Sequence, residues 1–147
     1  MLDLFTPTQV GVAIPAAPEQ ICHILRQLCH QLPRDQQYVL QVDLKNAFNT
    51  VRRIDIMRAV QSHCPELSAW CDFTLRSKSP LFCGSDTVSS EEGVQQGDPL
   101  GPAFFALTIL TTSRELNNLQ LLKWNVWYLD DGILVGPNRL CLRSFNF

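Results

Sequence analysis

The sequence predicts an α+β fold, a mostly antiparallel sheet with helices covering one face. Three observations carry that expectation. The 147 residues are 46% hydrophobic and 18% charged, the balance of a globular chain and enough for one domain with a core. Segments with apolar residues at helical spacing alternate with short runs rich in β-branched and aromatic residues. Two pairs of those runs are separated by turn-forming residues, as in hairpins.

Each element follows in order. Residues 18–32 place Ile21, Ile24, Leu25 and Leu28 on one helical stripe, and Pro33 stops that helix. "YVLQVDL" (residues 38–44) reads as a strand in which Val39, Gln41 and Asp43 alternate with Leu40, Val42 and Leu44. Helical spacing returns over residues 51–63, with Ile54, Met57 and Val60 on one side, and Pro65 opens another helix in "PELSAWCDFTLRSKS". In "PLFCGSDTVSSEEGV" a Gly-Ser-Asp turn joins two extended runs. A tight loop at residues 97–102 leads into the apolar helix "AFFALTILTTSRELNN". The second hairpin is "WNVWYLDDGILVG", its turn marked by Asp131-Gly132.

No apolar run reaches the roughly 18 residues that a membrane span needs. The opening "MLDLFTPTQVGVAIPAAP" carries Asp3, two prolines and no basic region, so no signal peptide is expected and an intracellular chain is, nuclear or cytoplasmic. A net charge of −2 argues against a self-sufficient nucleic-acid binder. Six cysteines (Cys22, Cys29, Cys64, Cys71, Cys83, Cys141) lack the close pairs of a zinc site. The seven-residue spacing of Cys22-His23 and Cys29-His30 is that of one helix face, where free cysteine is commonly just packed.

Asp130 and Asp131 stand between two apolar runs with no cation nearer in sequence than Lys123 and Arg139. Charges so placed need compensation. If the end of the strand carrying Asp43 meets this hairpin, three carboxylates converge, and a divalent ion such as Mg²⁺ or Mn²⁺ would relieve their repulsion. Two such ions ~3.5–4 Å apart are the device of in-line phosphoryl transfer. The plainer alternative is a hairpin turn, because Asp and Gly both favour turns.

Three segments bear on that choice: "VDLKNAFNTV" (residues 42–51), "GVQQGDPLGPAFFAL" (93–107) and "YLDDGILVG" (128–136). In order and spacing they resemble the palm motifs of reverse transcriptases, in particular those of non-LTR retrotransposons and group II introns. "QVGVAIPAAPEQICHILRQL" is similar to the segment leading into the first of them. The resemblance implies a palm with a remnant of the fingers: residues 1–37 as fingers remnant and lead-in helix, 38–136 as palm, 137–147 as a tail that matches nothing. It implies Asp43 and Asp130 as ligands of two Mg²⁺ (or Mn²⁺) ions, helped by the Leu44 carbonyl, with Asp131 as the less essential neighbour. Phe48 matches the aromatic gate beneath the sugar of the incoming nucleotide, which would exclude a 2′-hydroxyl; ordinary packing is its other reading. Gln95, Gln96 and Gly97 match the loop beside the nascent base pair. Gly97 and Gly101 would let backbone approach closely, although a loop that only caps the next helix accounts as well for Asp98 and Pro99. Lys45, Arg52 and Arg53 would contact phosphate, or simply be surface charges.

The implied activity is RNA-directed DNA polymerisation, with an RNA template, a DNA primer and deoxynucleoside triphosphates as partners, and no membrane. Two departures accompany it. The basic residues that grip the triphosphate in this family precede the first motif, and this chain begins after them. "PNRLCLRSFNF" resembles neither the lysine-bearing segment nor the primer grip and thumb that follow elsewhere. An inactive translated remnant, at most a weak nucleic-acid or protein-binding module, is therefore the competing expectation.

Overall fold

The computed structural model describes residues 2–36, 38–95, 97–118 and 122–137. These fall into two compact units, Met1–Leu44 with Ile109–Phe147, and Lys45–Thr108.

In the first unit a short helix α1 (Leu2–Phe5) precedes α2 (Ala17–Gln31). Pro18 stands in the first turn of α2, where its missing N–H costs nothing, and the extended Leu32 before Pro33 ends it. Ile21 is buried, Leu25 and Leu28 are half-buried, and Ile24 is exposed, so the expected stripe is only partly covered. Cys22 and Cys29 both lie exposed.

Strand β1 is Tyr38–Asp43. The later strands of this unit, Trp124–Tyr128 and Asp131–Gly136, form with it one antiparallel sheet in which the last strand is central. The period-two pattern of β1 sets its faces. Leu40 and Val42, with the following Leu44, pack against the buried Leu116, Trp127 and Leu134, as do Ile109 and Leu122. Val39, Gln41 and Asp43 are exposed. On the free side of Trp124–Tyr128, residues 8–10 lie parallel: the Trp127 N–H donates to the Thr8 carbonyl (2.7 Å) and the Val10 N–H to the Trp127 carbonyl (2.8 Å). A buried polar chain ties this sheet to the second half of the long helix. The Trp127 indole N–H donates to Asn125 Oδ1 (2.9 Å), and Asn125 Nδ2 donates to the Ser113 carbonyl (2.6 Å).

In the second unit α3 (Ala47–Thr50) and α4 (Arg53–His63) are separated by the extended Val51 and Arg52. A 3₁₀ turn at Pro65–Leu67 leads into α5 (Ser68–Leu75), shorter than the helix expected there. The hairpin β2 (Ser79–Cys83) and β3 (Asp86–Ser90) turns at Gly84, whose φ of 63° suits glycine. Helix α6 (Gly101–Asn118) starts two residues before the expected Ala103. Asp98 explains the extension: its carboxylate accepts the Leu100 N–H (2.9 Å) and its carbonyl the Gly101 N–H (3.0 Å). Strands β4 (Trp124–Tyr128) and β5 (Asp131–Gly136) complete the chain order. No helix among the described residues is long and apolar enough to cross a membrane.

Candidate active site

The β1–β5 register sets Asp43 directly opposite Asp131, and the β4–β5 register sets Tyr128 opposite Asp131 on the other side. Alternation puts Asp43 on the face away from Leu40, Val42 and Leu44, so the carboxylates of Asp43 and Asp131 share the sheet face opposite that apolar cluster. Asp130 is in the connecting turn, next in sequence. Like charges directly opposite in a sheet are destabilising. Burial and the charges of Asp130 and Asp43 together hold the Asp131 carboxyl above its ordinary value of 3.8. Among the described residues, none of the three takes part in an ion pair.

This donor set is of one kind. Mg²⁺ is commonly held by one or two carboxylates with waters and substrate phosphates, not by an all-protein cage. Among the described residues no group of three or more His, Cys, Asp or Glu side chains could hold a metal ion. The three carboxylates expected to converge do not form such a group; Asp43 and Asp131, opposed at the strand end and without an ion-pair partner among the described residues, fit the first arrangement.

The turn corrects the sequence expectation. Asp131 and Gly132 are not the turn but the start of β5, and the connection is made by Leu129 and Asp130. Gly132 has a steric reason to be glycine: a Cβ there would come within 2.9 Å of the Trp127 indole. The left-handed residue of the turn is Leu129, with φ 56°. That backbone costs an L-residue about 1–2 kcal/mol.

Its compensation is Gln9, which is fully buried. Gln9 Oε1 accepts the Leu129 N–H at 2.8 Å, and Gln9 Nε2 donates to the Leu129 carbonyl at 3.2 Å. The same Oε1 accepts the Gly11 N–H at 3.0 Å. A Cβ on Gly11 would stand 2.6 Å from the Leu129 nitrogen, so the chain can pass there only as glycine. Sequence reasoning missed this pair. The signal was the Gln-Val-Gly inside a segment read only as a lead-in.

In the second unit, Phe48 is half-buried with its ring stacked on Phe105 at a centroid distance of 4.6 Å. Gly93, φ 69°, presses on α3: a Cβ would lie 2.5 Å from the Phe48 carbonyl oxygen. The Val94 N–H donates to that same carbonyl at 2.9 Å. The loop that follows is folded by the Asp98 N–H donating to the Gln95 carbonyl (3.1 Å). Gly97 has φ 92° and open space around it, while a Cβ on Gly101 would make only ordinary contacts, nearest 3.5 Å. Gln96 lies outside the described residues.

The basic candidates separate clearly. Lys45 is exposed. Arg52 is paired with Asp55 at 2.6 Å. Arg53 is buried, and all of its N–H groups are engaged inside the chain: with the carbonyls of Gly93, Ser77, Ser90 and Glu92 and with Ser90 Oγ. It is a structural arginine with no donor left for phosphate, a correction to the sequence reading.

Comparison with known proteins agrees with this layout. No curated protein sequence matches the chain. Its structure is similar to that of apo telomerase from Candida tropicalis truncated from the C-terminal domain, at TM-score 0.63 and 12% identity, a likeness of fold. That match covers 93% of this chain and 31% of the telomerase chain. Residues 3–141 match the family model described as "Reverse transcriptase (RNA-dependent DNA polymerase)". The match takes in Asp43, the Gly93–Leu107 segment and the Asp130 turn, and the chain belongs to the reverse transcriptase family.

Proposed function

We propose that this chain is the palm of an RNA-directed DNA polymerase of the non-LTR retrotransposon or group II intron type, acting on an RNA template, a DNA primer and deoxynucleoside triphosphates. The observation that carries the reading is Asp43 opposite Asp131, with Asp130 on the adjoining turn and, among the described residues, no cation paired to any of them. Asp43 and Asp130 would hold two Mg²⁺ or Mn²⁺ ions, with the Leu44 carbonyl as a further oxygen. When bound, such ions activate the attacking hydroxyl and stabilise charge on the leaving oxygen. The chain's own part is positional. The side chain of Leu44 is anchored in the apolar cluster, which fixes the backbone next to Asp43. Phe48, whose ring is braced by Phe105, is assigned the exclusion of a 2′-hydroxyl, and Gln95, Gln96 and Gly97 the contact with the nascent pair. The type of element rests on the motifs "GVQQGDPLGP" and "YLDDG".

The test is a Mn²⁺ titration of the 147-residue chain followed by NMR line broadening. Amides of Asp43, Leu44, Asp130 and Asp131 should broaden first, and Asp43→Asn or Asp130→Asn should shift the effect to at least tenfold higher Mn²⁺. Broadening that begins elsewhere, or survives both substitutions, would remove the metal assignment. In a polymerase completed around this chain, Phe48→Ala should admit ribonucleotides. Unchanged discrimination would leave Phe48 as packing for Phe105 alone.

A further inference from the structure

We infer that Gln9 is a positioning residue for Asp130: its side-chain amide clamps the left-handed Leu129 and so fixes the turn on which the carboxylate is carried. The functional consequence rests on the metal reading above; the clamp itself does not.

Four observations meet at this point. Leu129 is a non-glycine residue at φ 56°, immediately before Asp130. The Gln9 amide pairs with both the N–H and the carbonyl of Leu129, as a strand neighbour would, from a fully buried site where water does not compete. The backbone around Gln9 is itself fixed: the Gln9 N–H donates to the Phe5 carbonyl (2.9 Å), and residues 8 and 10 hydrogen-bond to Trp127 on β4. Gly11 then closes the cradle by its lack of a Cβ, which would otherwise meet the Leu129 nitrogen. The turn is thus gripped by a segment 120 residues away in sequence. A β4–β5 connection governed by its own residues would require glycine, Asn or Asp at the left-handed position. Leucine there means the conformation is imposed from outside. Without the clamp Leu129 would relax toward negative φ, and Asp130 would swing with it, away from its fixed relation to Asp43 and Asp131.

Gln9→Met has nearly the same volume and no hydrogen-bonding group, so it isolates the clamp. In the metal-free chain, the strong intraresidue HN–Hα NOE of Leu129 that marks positive φ should weaken, and the Leu129 and Asp130 backbone resonances should shift. Adding Leu129→Gly, which takes positive φ unaided, should return the Asp130 resonances toward those of the parent. A loss of overall stability alone would not be reversed by that second change. Should Gln9→Met fail to fold, Gln9→Asn keeps the amide but withdraws it by one methylene and should show the same displacement. A Leu129 NOE and Asp130 shifts unchanged in the folded variant would overturn the proposal.

A Mn²⁺ arm separates the two readings. If the metal assignment holds, Gln9→Met should raise the Mn²⁺ concentration needed to broaden Asp130 about tenfold, with recovery in the double variant. Parent-like Mn²⁺ response in Gln9→Met beside a lost response in Asp130→Asn would overturn the positioning role. If the parent chain shows no Mn²⁺ response at all, the metal reading fails, while the Leu129 signals still decide whether Gln9 sets the turn.

Discussion

Asp131 stands between two cross-strand neighbours, Asp43 on one side and Tyr128 on the other. Its carboxyl is held above the ordinary 3.8 by burial first, then by Asp130 and Asp43. The folded chain therefore binds this proton more tightly than the unfolded chain does. Stability falls as pH rises from the ordinary carboxylate value through the raised one, and the whole penalty is present at neutral pH. Directly opposed like charges cost about 0.2–1 kcal/mol. Asp131→Asn should then raise the metal-free melting temperature at pH 7 by about 1–3 °C and change little at pH 3, where Asp131 is already neutral. Thermal unfolding at the two pH values measures this. A lower melting temperature at pH 7 would mean that the Asp131 charge is compensated by something other than a cation. At the same scale, burial raises the Cys71 thiol to about 11, as suits a side chain packed in the core.

At the scale of elements, Arg53 on α4 gathers the β2–β3 hairpin and the segment after it by taking the carbonyls of Ser77, Ser90, Glu92 and Gly93. A two-stranded hairpin is marginal alone, and much of this one faces solvent: Leu81, Phe82 and Val88 are all at least half exposed. Arg53→Met should cost about 2–4 kcal/mol, because several buried acceptors lose their donor together. Hydrogen exchange should show the loss concentrated in β2 and β3. Uniform protection there, equal to that of the parent, would contradict the anchoring role. The contrast with the carboxylates shows what a sequence can convey. Alternation along "YVLQVDL" was enough to place Asp43 on the face away from Leu40 and Val42, because a strand's period is local. The Gly84 turn was legible for the same reason, whereas the hydrogen bonds of Asp98 start α6 two residues earlier than its apolar run suggests. Arg53, so close in sequence to Asp43, reads as a phosphate ligand until its partners, 24 to 40 residues distant, are known. Asp131-Gly132 reads as a turn until Trp127 is seen to lie across Gly132. For Gln9 the local sign, the Gln-Val-Gly of residues 9–11, does not say what the amide holds, since its partner is Leu129.

For the whole molecule, the distribution of charge sets what the chain can do with nucleic acid. The sequence has 12 Lys and Arg against 14 Asp and Glu. Arg52 and Arg58 pair with Asp55, Arg76 with Asp72 and Lys78 with Glu91. Arg53 is consumed internally, and Arg114 donates to the Leu4 carbonyl. Among the described residues at least these six cations are committed to acids or carbonyls of the chain itself. Affinity for a duplex comes chiefly from counterions released by Lys and Arg, and its salt dependence scales with how many phosphates they neutralise. With acids outnumbering cations and several of the cations so engaged, an RNA–DNA duplex should bind this 147-residue chain more weakly than roughly 10⁻⁴ M at physiological salt, with a shallow salt slope. Phosphoryl transfer depends on orientation, and losing it can forfeit several powers of ten in rate. The chain should then show no measurable primer extension with Mg²⁺ or Mn²⁺ and all four deoxynucleotides, even while Mn²⁺ broadens Asp43 and Asp130. Fluorescence anisotropy across a salt series and a primer-extension assay check the two halves of this expectation. Micromolar binding with a steep salt slope would show that the exposed cations, Lys45 among them, form a groove after all. Extension abolished by Asp130→Asn would show that the palm's carboxylates suffice for polymerisation without further charge to hold the triphosphate.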